Sequence, residues 1–143
     1  HCHRAHQITF DNKGGLNSYN DWPKCINSIN ASYLNFCTTG GGVLYPPKSL
    51  YKDVLNEELF MILSPTADDI WFWAMAVLNH TKIKVVNNNL IDLVYIDPIL
   101  AFQLNDGTTL YKINLTRNDI QLNEVINAYQ DIKTSLTHHS LPT

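Results

Sequence analysis

An α/β fold, with a small mixed β-sheet and flanking helices, is predicted from three observations. Ile70 to Leu78 is apolar without a break, directly behind Asp68 and Asp69. Ile120, Leu122, Val125, Ile126, Tyr129, Ile132 and Leu136 recur near helical spacing. Short β-branched runs, KIKVV at 82–86 and LVYI at 93–96, lie between these two helical stretches. The 143 residues fit one domain, 1–143, long enough to bury a core, and 45% of them are hydrophobic.

From the N-terminus, QITF at 7–10 alternates polar and apolar residues before DNKGG and predicts a strand ending near Asp11. Residues 15–36 are polar and irregular around Tyr19, Trp22 and Pro23, and predict a long surface loop with a short helix after the proline. Gly40, Gly41 and Gly42 then make a tight loop feeding a short strand that Pro46 and Pro47 end. Residues 49–63 carry Val54, Leu55, Leu59, Phe60, Ile62 and Leu63 on a helical face that is clearest from Asn56 onward, and Pro65 breaks the pattern.

The next helix has Thr66 as its predicted N-cap, with Asp69 completing a capping pattern, and should run to about Leu78. Residues 82–86 and 93–96 predict two strands joined through Asn87, Asn88 and Asn89. ILAFQL at 99–104 and TLYKI at 109–113 flank NDGT as a predicted hairpin. Asn118 or Asp119 is the expected cap of the last helix, and HHSLPT at 138–143 is expected to fray.

Composition removes several function classes. A net charge of −3 with ten scattered basic residues offers no stripe for a nucleic-acid backbone. No apolar run reaches the ~18 residues that a membrane span needs. Cys2, Cys25 and Cys37 form no CxxC and cannot all pair, which points to a reduced, intracellular setting. The sequons at Asn30, Asn79 and Asn114 carry no weight among sixteen asparagines. The chain opens HCHRAH without methionine, so the expectation is a piece cut from a longer protein.

Asp68 and Asp69 are the leading candidate site. Acidic residues in a first helical turn complement the helix dipole, contributing about 0.3 to 1 kcal/mol each. That explains one aspartate better than two at the mouth of a helix bound for the interior. Repulsion and desolvation raise a carboxylate pKa while the helix N-terminus lowers it, so one of the pair can serve as an ionised base. His1, Cys2, His3 and His6 have zinc-ligand chemistry but no second matching pair, and local histidines on a strand are the simpler reading. The glycine triplet lets backbone N–H groups approach a phosphate or sugar, without a Walker or dinucleotide pattern around it. Tyr19, Trp22, Tyr45 and Trp71 offer flat rings for a sugar, set against the packing role expected of Trp71 and Trp73. Neither G-x-S-x-G, HExxH nor an EF-hand loop occurs.

Taken together, HRAHQITFD, YNDW at 19–22, TGGGVLYPP at 39–47, ADDIWFWAMA at 67–76 and NDIQL at 118–122 resemble, in that order, the second, acceptor-side half of bacterial family 2 GT-A-fold glycosyltransferases that build cell-surface polysaccharides. The resemblance spans nearly the whole chain. It implies a partial GT-A-like fold lacking the nucleotide-binding half, in a cytoplasmic enzyme or one peripheral to the inner face of the membrane. It implies that Asp69 deprotonates the acceptor hydroxyl with Asp68 beside it, and that Gly40, Gly41, Gly42 and Tyr45 shape the wall near the donor sugar, with Trp22 and Trp71 as further substrate contacts. The partners implied are a nucleotide-sugar donor and a saccharide acceptor.

The chain departs from the pattern in having no Asp-x-Asp pair and no QxxRW motif. The divalent metal, magnesium or manganese, would therefore be held by an upstream motif, none is expected to bind here, and the fragment alone should be inactive. An exposed apolar face or sheet edge is expected where the other half docks, and could pair two copies of the fragment as a homodimer. The alternative is a non-catalytic domain that binds carbohydrate or protein through the aromatic residues at 19–22, with Asp69 only capping its helix.

Overall fold

The apolar stretch behind the two aspartates becomes a helix with neighbours on both sides, and the rest of the chain is arranged around it. The structure, a computed structural model, describes residues 1–89, Ile99 and residues 109–137. It is mixed α and β. A two-stranded antiparallel sheet pairs β1 (Ala5–Gln7) with β2 (Asn35–Cys37) in the register Ala5 to Cys37 and Gln7 to Asn35. Four α-helices follow among the described residues: α1 (Glu57–Leu63), α2 (Asp68–Leu78), α3 (Leu110–Ala128) and α4 (Asp131–Thr137).

α2 lies between the sheet on one side and α3 and α4 on the other. Its two buried tryptophans are two residues apart, about 200° around a helix, so they point to opposite sides. Trp73 packs on Phe36 of β2, with ring centroids 5.9 Å apart, and its indole N–H donates to the Tyr33 carbonyl at 3.0 Å. Trp71 meets Tyr129, just past α3, and Phe60 of α1, and donates to the Val54 carbonyl at 3.1 Å. Each large ring thus enters the core with its one polar group satisfied. α2 itself packs on the sheet, and the C-terminal helices cover α2 rather than the strands.

Among the described residues the sheet is smaller than the sequence predicts. The segment 82–86 does keep the strand alternation, with Ile83 and Val85 buried between exposed Lys82 and Lys84. Among the described residues it pairs only through single bridges, Ile83 antiparallel to Ser32 and Val85 parallel to Cys2. QITF forms strand only at its first residue, since β1 begins at Ala5, and Phe10 makes one bridge to Leu16. Val43, after the glycines, makes one bridge to Cys2.

TLYKI is not a strand: Thr109 caps α3 by accepting the Lys112 N–H, and the helix begins at Leu110. Asn118 and Asp119 therefore sit within the helix instead of capping it. The predicted strand at 93–96, the NDGT turn and the tail at 138–143 lie outside the described residues, as does 99–104 apart from Ile99.

The helix predicted within 49–63 starts later, at Glu57, where the Asn56 side chain accepts the Leu59 N–H at 3.1 Å. A 3-10 turn over Lys52–Leu55 precedes it. Leu55, Met61 and Ile62 remain exposed, as do Leu110 and Tyr111 at the start of α3. The predicted helix after Pro23 is instead a 3-10 turn before it, Tyr19–Asp21. Among the described residues no helix is long and apolar enough to cross a membrane.

Replacing Trp73, fully buried between sheet and helix, by alanine is expected to destabilise the fold by about 3 to 5 kcal/mol, through lost burial and the cavity left behind. Urea unfolding followed by tyrosine and tryptophan fluorescence measures it; a loss below about 1 kcal/mol would place the core elsewhere.

Candidate functional site

The first turn of α2 emerges where the sheet ends, and this brings the two aspartates to the glycine turn. Residues Thr39–Gly41 form a 3-10 turn immediately after β2. The Thr39 backbone N–H donates to Oδ1 of Asp69 at 2.6 Å, and its hydroxyl donates to Oδ2 of Asp68 at 3.0 Å. One residue thus holds both carboxylates.

The predicted capping box is not formed. Ala67 occupies the N-cap position and makes no side-chain cap bond. Thr66 is drawn instead into α3: its N–H donates to Oε1 of Gln121 at 3.0 Å, its hydroxyl lies 2.8 Å from Oδ1 of Asn114, and its carbonyl accepts from Asn114 Nδ2 at 2.7 Å. Gln121 is itself buried, so these bonds satisfy an amide group that water does not reach. With Thr66 committed to α3, Asp69 is free of its helix and available to the glycine turn.

The glycines have separate reasons to be glycine. A Cβ on Gly41 would stand 2.7 Å from Cβ of Arg4, so the turn closes directly over the arginine stem. Gly42 has φ +90°, where a side chain is strained. Gly40 has neither constraint, with nothing within 4 Å of a Cβ, and lies on the open side of the turn. Arg4 is held by its Nε–H, which donates to the Thr38 hydroxyl at 2.7 Å.

Burial raises the Asp69 pKa above the ordinary 3.8; the Thr39 hydrogen bonds oppose this, Asp68 adds to it and Arg4 opposes it. Asp68 is exposed and Asp69 only half-buried. Tyr19 stands across from them, its phenol pushed up to about 12 by burial and by Asp69, so it is a neutral hydroxyl at ordinary pH. The backbone N–H of Tyr19 and the Ser18 hydroxyl both donate to Asp119 of α3, at 2.7 and 2.6 Å, which ties this loop to the helices. Arg4, Tyr19, Thr39, Asp68 and Asp69 therefore line one polar locus with two carboxylates, a cation and neutral hydroxyls, a set able to accept a proton and to bind vicinal hydroxyls.

The remaining candidates divide. Tyr45 follows the turn and sets its ring on Phe72, centroids 5.3 Å apart, one helical turn beyond the aspartates. Its hydroxyl is buried against the Cys37 thiol, and burial, Cys37 and both aspartates raise its pKa. Trp22 and Trp71, expected as substrate contacts, are each 2% exposed and offer no open face to a sugar. Trp22 packs on Phe36 and Tyr19, and its N–H donates to the Asn17 carbonyl at 2.9 Å.

The N-terminal histidines do not converge. His1 and His3 are exposed, whereas His6 is buried, accepts the Cys25 N–H at Nδ1 and is held neutral by burial, its pKa lowered to about 4. Among the described residues no three His, Cys, Asp or Glu side chains are grouped to hold a metal ion. Arg4 and Thr39 escaped sequence reasoning; the one available signal was Thr39's place directly before the glycines.

Searches against protein-family models, curated proteins and solved structures each find no match to this chain.

Two outcomes test this geometry. Gly41→Ala and Gly42→Ala are each expected to lower the melting temperature and to shift the amide signals of Arg4 and Thr39, whereas Gly40→Ala leaves both near wild type. The second concerns pH. A folded Asp69 that holds its proton more tightly than the unfolded chain costs stability as pH rises from 3.8 through the folded value. Asp69→Asn keeps an oxygen for the Thr39 amide and removes the charge, so it should melt above wild type near pH 7, with the difference closing as pH falls towards 3.8. Melting curves across that range check the sign.

Proposed function

We infer that the chain supplies the acceptor side of an inverting glycosyltransferase, with Asp69 as the base that receives the acceptor proton. The observation that carries this is a half-buried carboxylate, raised in pKa by burial, set beside a glycine turn that is open at Gly40. A general base needs reach to its proton and a pKa nearer the working pH than an exposed aspartate has. The resemblance of ADDIW and TGGGVLYPP to family 2 enzymes supports the same residue for the role.

In this reading the acceptor hydroxyl meets the Asp69 carboxylate, which takes its proton. The hydroxyl oxygen forms a bond to the anomeric carbon of the donor as the bond to the nucleoside diphosphate breaks, and the leaving group keeps that electron pair. Arg4 and Tyr19 orient the acceptor through its other hydroxyls, and Gly40 leaves room for a sugar to approach the backbone. The described residues bring no three His, Cys, Asp or Glu side chains together and so do not fit a divalent metal. The chain has no Asp-x-Asp pair, so the donor's diphosphate is assigned to residues other than these.

A non-catalytic carbohydrate-binding role would use the same Arg4, Tyr19 and Asp68 without proton transfer, but it gives no use for a raised Asp69. The buried Trp22 weighs against the aromatic platform at 19–22 on which that reading depends.

In the complete enzyme, Asp69→Asn is expected to lower kcat by about 10²- to 10⁴-fold while leaving donor affinity near wild type. Transfer assays with radiolabelled nucleotide sugars, paired with donor-binding measurements, check both. A variant as active as wild type would remove Asp69 from the mechanism.

A further inference from the structure

The pair of carboxylates has a division of labour that the two Thr39 bonds define. The geometry points to Thr39 as the positioning residue of the site: its backbone N–H takes Oδ1 of Asp69 at 2.6 Å and its hydroxyl takes Oδ2 of Asp68 at 3.0 Å, so one residue aims both carboxylates. The same hydroxyl also bonds the Asp69 carboxyl and, with the backbone N–H, opposes the effect of burial on its pKa. The assignment rests on the reading of Asp69 as proton acceptor and extends it to the residue that aims it.

Three features make the arrangement more than a surface contact. Thr39 is fixed from behind, because Thr38 donates its N–H to the Arg4 carbonyl at 3.0 Å and receives Arg4 Nε–H on its hydroxyl. It is fixed from ahead by a turn whose Gly41 closes on Arg4 and whose Gly42 N–H returns to the Thr39 carbonyl at 2.9 Å. Its two donors also lie on different groups, backbone and side chain, so both carboxylates are oriented by one rigid residue and neither depends on a mobile lysine or arginine.

The second aspartate thereby gains a use that dipole compensation does not supply. By accepting the Thr39 hydroxyl, Asp68 fixes the side-chain torsion of the residue whose amide holds Asp69. The other groups around Asp69 are Arg4 ahead of β1, Tyr19 from the 3-10 turn, Cys37 at the end of β2 and Tyr45 beyond the glycines. Of these only Arg4 is a cation.

The test uses the 143-residue chain and needs no substrate. Carboxyl and amide NMR signals are followed through a pH titration of wild type, Thr39→Ala, Thr39→Ser and Asp69→Asn. In wild type the Thr39 amide proton should move with the Asp69 midpoint, and in Asp69→Asn that movement should vanish. Thr39→Ala, which keeps the N–H and loses the hydroxyl, should raise the Asp69 midpoint by about half to one pH unit, and Thr39→Ser should restore it.

An amide insensitive to Asp69, or a midpoint unmoved in Thr39→Ala, overturns the assignment. Should Thr39→Ala fail to fold, the wild-type amide titration decides alone. If these titrations behave as expected while the complete enzyme with Asp69→Asn transfers sugar normally, the transfer reading fails and the positioning by Thr39 stands.

Discussion

Burial of α2 on both sides is the constraint from which the rest of the architecture follows. A helix with Trp71 and Trp73 pointing in opposite directions cannot rest on a single layer, because either ring left in water forfeits roughly 2 to 3 kcal/mol of burial. One side is closed by a sheet that has two strands among the described residues, the other by α3 and α4. A sheet this small would be marginal alone, and it is the packing of Phe36 against Trp73 and Trp22 that gives it a core to belong to.

The same burial decides the chemistry at the end of the helix. A central helix brings its N-terminus to the junction of the layers, where the loop after β2 must turn. Asp69 is half-desolvated there, and the hydrogen bonds that compensate it come from another part of the chain, thirty residues earlier. The site is thus held by contacts between elements and not within one. Its electrostatics are a compromise: burial lifts the Asp69 pKa, while Thr39 and Arg4 restrain it. A carboxylate kept in that balance is costly to the fold and suited to exchanging a proton, the familiar opposition between stability and function.

Much of the site was legible before any coordinates. The aspartates stand out because charge abuts an unbroken apolar run, and the glycines because three in succession have few local uses. The elements that failed did so where local pattern and tertiary contact compete. TLYKI has strand-like composition, but Thr109 can cap a helix, and Asn114 and Gln121 reward one by bonding to Thr66. Thr66 matches a capping box in spacing, yet its polar groups find better-placed partners on α3. Trp22 sits in a polar loop and looks available to a ligand, but the tie from Ser18 and Tyr19 to Asp119 draws that loop onto the core.

By itself the sequence determined that α2 exists, that it must be buried, and that two carboxylates stand at its entrance, because hydrophobic periodicity and charge placement are properties of neighbouring residues. Only the tertiary structure decided which oxygen of which aspartate is held, by what, and which aromatic rings are closed to a ligand. Those outcomes depend on residues 29 to 101 positions apart in the chain, Asp68 with Thr39 and Asp119 with Ser18, and no local spacing encodes such a pairing.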